Sequence, residues 1–418
     1  MAKRGFSFPV RILRMTRCSA LLVMFAAVCS PAAAQGPELF SRNGKGWGQA
    51  VADNLTVSGR SPNSTLNSGS PGQEVAVSGA GLRGAAHAQV YVAGQPAKSR
   101  LVRNGGVDEI VFRVPESSSE GCAVPVDVRS AGPLPTNVVS IAIRRGAGEC
   151  RDAEFIPFSH WSGSRNGLVL LTRKASEKSA VPVDEMSAWF VKLGAMDVPF
   201  PPPGACTSRS SDDRKGEGAA PTLLDLLADQ VSASLLDAGP FVTVDDGKTL
   251  RRLRPAFLRG FYGVELAGPR VTANPLRMTD LHVAGEGGAD VGPFQFRLHP
   301  SEPLDLITPV TEVDRARGLT VDWRAAGDSV VVIALSFGDS LHQTHGVCFC
   351  VAPPGSNRFT IAPEWLARFP AISPGSNGAE AIFTIATWPR QPTKFSAAGL
   401  DHGLAASSFV RSHTIAFR

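Results

Sequence analysis

The sequence predicts an all-β protein: a small antiparallel sandwich followed by one or two further antiparallel β-sandwich domains. Three observations carry that expectation. Apolar and polar residues alternate at period two from about residue 65 to Ile143. The 42 glycines and 32 prolines are scattered between short apolar runs, which is the punctuation of strands and turns. Long stretches with helical spacing are scarce.

Residues 1–34 precede the folded part. Lys3, Arg4, Arg11, Arg14 and Arg17 form a basic leader, the run Ala20–Val28 is apolar, and Pro31-Ala32-Ala33-Ala34 closes it. That order is the pattern of a secretory signal peptide cleaved after Ala34. The apolar run is shorter than the roughly 20 residues a spanning helix needs. No later segment spans a bilayer by hydropathy, so the expectation is a secreted, extracellular or periplasmic protein. Cleavage would also remove five of the 42 basic residues and none of the 37 acidic ones. The remaining 37 and 37 balance, which excludes a nucleic-acid partner held by net charge.

Residues 35–64 are polar and rich in Gly, Ser and Asn, and read as a flexible lead-in. From there the alternation is strong. Val75 and Val77 share a face, as do Val90 and Val92, and Ile110, Phe112 and Val114. Val124, Val126 and Val128 face one way, with Pro125, Asp127 and Arg129 opposite, and Val139, Ile141 and Ile143 close the set. Gly81, Gly94, Gly105-Gly106 and Gly132-Pro133 supply the turns. Residues 65–150 are thereby expected to form one small sandwich.

The segments "SPGQEVAVSGAGL", "AQVYVAGQPAK" and "DEIVFRVPESSSEGCAVPVDVRSAGPLPTNVVSIAI" resemble an IPT/TIG-type immunoglobulin-like domain, in the variant found in secreted, uncharacterised proteins of soil bacteria. The features that match are Pro71-Gly72, Gly79, Gly81, Val114-Pro115, Gly121-Cys122 and Asn137. The resemblance implies an Ig-like fold and an exported protein, and it carries no catalytic residues.

Residues 151–300 read as a β-rich domain, with strand-like runs at Gly167–Thr172, Ala188–Leu193, Phe241–Val244, Gly260–Leu266 and Asp290–Leu298. The Pro- and Gly-rich stretch 199–221 reads as a long loop. Thr222–Gly239 has helical spacing and stops at Gly239-Pro240, so a helix is expected there. Residues 301–418 read as a C-terminal sandwich. Leu319, Val321 and Trp323 alternate, Val330–Phe337 is apolar on both faces like a central strand, and "APEWLARFP" reads as one helical turn.

Five cysteines remain after the leader: Cys122, Cys150, Cys206, Cys348 and Cys350. In an oxidising compartment they are expected to pair, leaving one over. Cys122 shares the inward face of Val124 and Val126, and Cys150 follows the last strand, so these two form the preferred disulfide. Such a bridge contributes about 3–4 kcal/mol in the chain-entropy model. A direct Cys348–Cys350 bond is disfavoured, because residues two apart in a strand lie about 6.6 Å apart with parallel Cβ vectors. One of the two is expected to pair with Cys206. The wider resemblance of the C-terminal half to the same secreted proteins implies Cys350.

Two motifs suggest chemistry. Gly338-Asp339-Ser340-Leu341 spells the opening word of the GDSL esterases, with Ser340 as nucleophile. That chemistry needs a helix directly after the serine and distant Asp and His blocks. Here a strand-like run begins at Gly346, and Asp401-His402 lacks the spacing. His342, His345, Cys348 and Cys350 are zinc-type ligands, but along a strand His345 falls on the face opposite the cysteines. Asp245-Asp246 and Asp290 lack the regular Asp-x-Asp series of a calcium loop. Trp161, Trp323, Trp365 and Trp388 are candidates for sugar stacking or for packing. Asn54 and Asn63 begin glycosylation sequons. The balance favours a non-catalytic binding or structural module whose partner is an extracellular glycan or protein. No catalytic, cofactor-binding or metal residue is assigned.

Overall fold

The computed structural model describes residues 37–42, 48–84, 89–104, 106–129, 136–146, 148–150, 163–176, 179–196, 201–211, 231–255, 260–267, 279–324, 329–339, 344–367, 369–373 and 378–418. The expected leader lies outside them. Gly36–Arg418 forms one compact unit. Its described residues are strands joined by turns and short 3-10 segments, so the protein is all-β.

The N-terminal part is a two-sheet sandwich. One sheet orders Gly59–Pro62, Ala52–Thr56, Glu74–Ala80, Val107–Arg113 and Ser99–Asn104; the other orders Gly48–Gln49, Val139–Ile143, Gly121–Arg129, Gln89–Val92 and Gln95–Ala97. The alternating valines and isoleucines point between the sheets, where Val75, Val77, Val90, Val92, Val126, Val139, Ile141 and Ile143 are fully buried. At about 25 cal/mol per Å² of apolar surface removed from water, this inner face stabilises the sandwich.

The lead-in differs from expectation. Residues 38–62 supply four strands of the sandwich, and Leu39 is fully buried. Polarity misled because the polar groups are used internally. Asn63 Nδ2 donates to Asn54 Oδ1 (2.7 Å) and to the Ala142 carbonyl (3.0 Å), while Asn63 Oδ1 accepts from Ala142 N. Asn137 likewise brackets Leu39, accepting from its N–H and donating to its carbonyl. Buried amides so satisfied tie strands together without an apolar surface.

The rest of the unit is organised by one long sheet. Its order runs Ala205–Ser211, Thr344–Val351, Ser329–Asp339, Ala379–Pro389, His402–Thr414, Arg165–Ser176, Ser179–Met196, Phe261–Ala267, Leu250–Pro255, Val242–Asp245, Leu281–Gly285 and Phe294–Leu298. At its centre Arg165–Ser176 lies parallel to His402–Thr414, in register from Asn166↔His402 to Ala175↔Arg411. Strands from before and after residue 300 therefore neighbour each other. Two large cores pack on this sheet. One gathers Phe190, Tyr262, Phe294, Phe296 and Phe395; the other gathers Trp323, Ile333, Leu335, Phe369, Phe383 and Phe417.

Ser329–Asp339 is the central strand the sequence indicated, with Ile333 and Leu335 in one cluster and Val330 and Val332 in another across the sheet. Trp323 points inward, and Pro363–Trp365 is a single 3-10 turn. The expected helix is different. Its residues 222–230 lie outside those described, and Val231–Leu235 is a strand paired with Ser179–Met196. Ser232 and Ser234 alternate there with Val231, Ala233 and Leu235, so the period-two component prevails locally once a sheet edge is available.

Candidate ligand-binding face

The long sheet buries one face of Arg165–Ser176, Ser179–Met196 and Phe261–Ala267 and turns the other outward. Val169, Leu171, Met186, Ala188, Phe190 and Tyr262 are the buried set. Strand alternation places their neighbours opposite. Leu168, Trp189 and Phe261 lie side by side in one cross-strand row, through the registers Leu168↔Trp189 and Trp189↔Phe261. All three are partly exposed. The Trp189 and Phe261 rings meet edge to face at 5.2 Å, an arrangement that holds one ring while leaving apolar surface free.

The next rows become polar. Leu170, Ser187, Gly263 and Arg254 follow in register, and then Thr172, Glu185 and Glu265. Gly263 is exposed, and a Cβ there would meet nothing closer than the Met186 carbonyl at 4.0 Å. The middle of the face is accordingly open. Lys174 Nζ donates to Glu185 Oε2, an ion pair with both side chains close to half exposed, worth at most about 1 kcal/mol. Glu265 Oε1 is withdrawn from solvent and has no hydrogen-bond partner. The face thus combines an aromatic platform, an open floor, and a border of carboxylates and cations.

Trp189 carries a sequence signal in the alternation of Ser187, Trp189 and Val191 with Ala188 and Phe190. Of the four tryptophans considered for sugar stacking, Trp323 and Trp365 are buried, Trp388 is partly buried, and Trp161 lies outside the described residues.

The cysteines form two disulfides, Cys122–Cys150 and Cys206–Cys350. Register settles the second. Cys206 stands directly opposite Cys350, whereas Ser208 stands opposite Cys348. Cys348 remains a free, fully buried thiol with Sγ 3.8 Å from that of Cys350. Burial pushes its pKa far above the ordinary thiol range, so it stays protonated. The three sulfurs lie within 4.8 Å of one another, but two of them are bonded together and offer no thiolate.

Ser340 and His342 lie outside the described residues. Strands Ser329–Asp339 and Thr344–Val351 pair antiparallel up to Asp339↔Thr344, so the stretch is a hairpin, and a strand follows where a hydrolase would place a helix. His345 alternates with Cys348 and Cys350 along its strand, onto the face of Phe349. Asp245 Oδ1 accepts from Gly247 N, and Asp246 Oδ1 accepts from Lys248 N and Thr249 N, which shapes the turn between two strands. Burial raises the pKa of Asp246, but these amides and the Arg251 charge outweigh it and hold the carboxyl below its usual range. Asp290 Oδ2 accepts from Asp237 N. Asn54 and Asn63 are buried and bonded to each other, which removes both from glycosylation in the folded protein.

Comparison with known proteins bears on the N-terminal sandwich, where two sheets of alternating valines surround one core. Residues 55–140 match the IPT/TIG domain. The IPT/TIG domain accounts for the Ig-like sandwich and its turns, and the Cys122–Cys150 bridge ties its Gly121–Arg129 strand to the chain beyond its last strand. No curated protein matches the chain. Among solved structures, the chain is similar to SGBP-B of the Bacteroides ovatus mixed-linkage glucan utilization locus in complex with a mixed-linkage heptasaccharide. The identity is 8%, over 71% of this chain and 63% of that one, with a TM-score of 0.17. The full extracellular region of plexin A4 matches at 11% identity over 87% of this chain and 25% of that one, TM-score 0.15. The N-terminal four Ig domains of Dscam1 isoform 9.44 match at 8% identity over 90% and 99%, TM-score 0.16. The chain spans under two thirds of the length of SGBP-B. No helix among the described residues is long and apolar enough to cross a membrane.

Proposed function

We propose that the protein is an exported, non-catalytic binding module, and that the outward face around Trp189 takes a carbohydrate. The row Leu168, Trp189 and Phe261 is the observation that carries this reading. Aromatic side chains expose apolar area at low entropic cost, and a sheet holds them in a fixed plane. The apolar side of a sugar ring suits such a surface, and its hydroxyls suit the carboxylates and cations at the border. Export is supported by the leader pattern at residues 1–34 and by two disulfides, which persist in oxidising compartments. The IPT/TIG domain and the long sheet supply scaffold.

A glycan array probed with the mature protein and with Trp189→Ala tests the reading. Wild-type binding that disappears in the variant supports it. Equal binding by both proteins removes the Trp189 face from the account, and binding only to protein baits reassigns the partner. N-terminal sequencing of protein recovered outside the cell tests export, with Gln35 as the expected first residue.

A further inference from the structure

We infer that the glycan taken by this face is acidic, and that Arg254, with Arg252 beside it, recognises its carboxylate or sulfate group. The inference rests on the carbohydrate reading above and names the chemical class of the ligand.

The strand Leu250–Pro255 borders the open floor. Leu253 is fully buried, so Arg252 and Arg254 on either side of it point outward, and both are exposed. Arg254 stands opposite Gly263, which puts no side chain between Arg254 and Ser187 in their row.

Position decides which charge a stacked sugar meets first. The aromatic row Leu168, Trp189 and Phe261 carries none. The row beside it is Leu170, Ser187, Gly263 and Arg254, whose only charged member is Arg254. Residues two apart on one strand lie about 6.6 Å apart and neighbouring strands about 4.8 Å, which sets the Arg254 Cα about 8 Å from that of Phe261. Glu185 and Glu265 stand one row further off, at about 13 Å along the strand for Glu265.

The balance of charge points the same way. Across the outward side of these four strands Lys174, Arg252 and Arg254 stand against Glu185 and Glu265. Lys174 is bonded to Glu185, which leaves two arginines against one carboxylate. Neither arginine has a carboxylate partner among the described residues. Arg252 is held instead over the Phe241 ring, with Cζ 4.6 Å from its centroid, a contact that does not use its N–H donors. A guanidinium presents paired donors in one plane, which matches two oxygens of a carboxylate or a sulfate. A uronic acid or a sulfated sugar carries that group at the rim of its ring. The ring stacks on the aromatic row while the oxyanion reaches Arg254.

The test uses affinity electrophoresis of the mature protein in gels holding neutral dextran or galactomannan, the uronans alginate or polygalacturonate, or dextran sulfate. Variants are Arg254→Gln, Arg254→Lys, the double variant Arg252→Gln/Arg254→Gln, and Trp189→Ala. Arg297→Gln, an exposed position on the outward side three strands away, makes the same charge change as Arg254→Gln. Circular dichroism and the urea midpoint report folding for each. Wild type is expected to be retarded by an acidic polymer and not by the neutral ones, and the arm that retards it separates a uronate from a sulfate ester. Arg254→Gln is expected to weaken that binding about tenfold or more while remaining folded, the scale of one lost hydrogen bond between charged groups. Arg254→Lys, which keeps the charge without the fork, is expected to recover part of it. Arg297→Gln is expected to bind as wild type. Wild-type preference for neutral polymers overturns the inference, and so does an equal loss in Arg297→Gln, which assigns the binding to net charge. Full binding by the double variant also overturns it, and if Trp189→Ala then still loses binding, the carbohydrate reading stands alone. Full binding by Trp189→Ala, or no retardation by any polymer, removes both.

Discussion

Cys206 and Cys350 face each other across neighbouring strands with Cα atoms 4.0 Å apart, and their bond closes a span of 144 residues. It fastens Ala205–Ser211, the edge strand of the long sheet, to the hairpin that holds its central strand. In the chain-entropy model so long a loop contributes about 5 kcal/mol, at the upper end of what disulfides deliver. The double variant Cys206→Ala/Cys350→Ala is therefore expected to lose about 3–5 kcal/mol in urea unfolding. A loss under 1 kcal/mol would mean that the edge strand is held by its ladder alone.

Cys348 behaves differently from its neighbours. Its buried thiol is expected to be silent to Ellman's reagent in the native protein and to count as one thiol per mature chain after denaturation. Burial raises its folded pKa above the ordinary 9.0, so the neutral thiol favours the native state fully below pH 9. Above that, the unfolded thiol ionises while the folded one does not, and this contribution declines with rising pH. Cys348→Ala should flatten the alkaline limb of the stability curve.

Acid acts elsewhere. Hydrogen bonds from Arg60 hold the Glu109 carboxyl below its ordinary 4.5 against the opposing effect of burial, and Asn104 adds a further bond. A depressed folded pKa gives stability that is present above the unfolded value and lost as pH falls through the folded one. Between pH 4.5 and lower values the wild type should lose stability that Glu109→Gln does not. Parallel acid titrations of the urea midpoint check this, and identical slopes would contradict it.

Trp189 and Phe190 are adjacent but face opposite sides of the sheet. Phe190 packs against Tyr262 and Phe294, so Phe190→Ala is expected to cost about 3–5 kcal/mol. Trp189→Ala should cost clearly less, because its ring is only partly covered. Thermal unfolding of the two variants separates a core position from a surface one.

Much of this fold is legible in the sequence where a rule is local. Val124, Val126 and Val128 declare their inner face by alternation alone, and Val330–Phe337 declares a central strand by being apolar on both sides. What escapes is what depends on distant partners. Nothing in residues 165–176 announces a parallel neighbour at 402–414, and nothing near Val231 announces the sheet edge that makes it a strand. Asn54 and Asn63 read as loop residues because their buried bonds reach partners across the sandwich, including Ala142. Cys206 had two possible partners until the register placed Cys350 opposite it. The face around Trp189 was hidden for the same reason, since Leu168, Trp189 and Phe261 meet only when three strands are aligned.

The row of Leu168, Trp189 and Phe261 is proposed to bind a carbohydrate. Its most direct measurement is the affinity of folded Trp189→Ala and wild type for whichever glycan the wild type retains, by isothermal titration. Trp189→Ala is expected to lose about tenfold or more in affinity with the fold intact, the scale of removing one stacked aromatic. Unchanged affinity in the variant would contradict it.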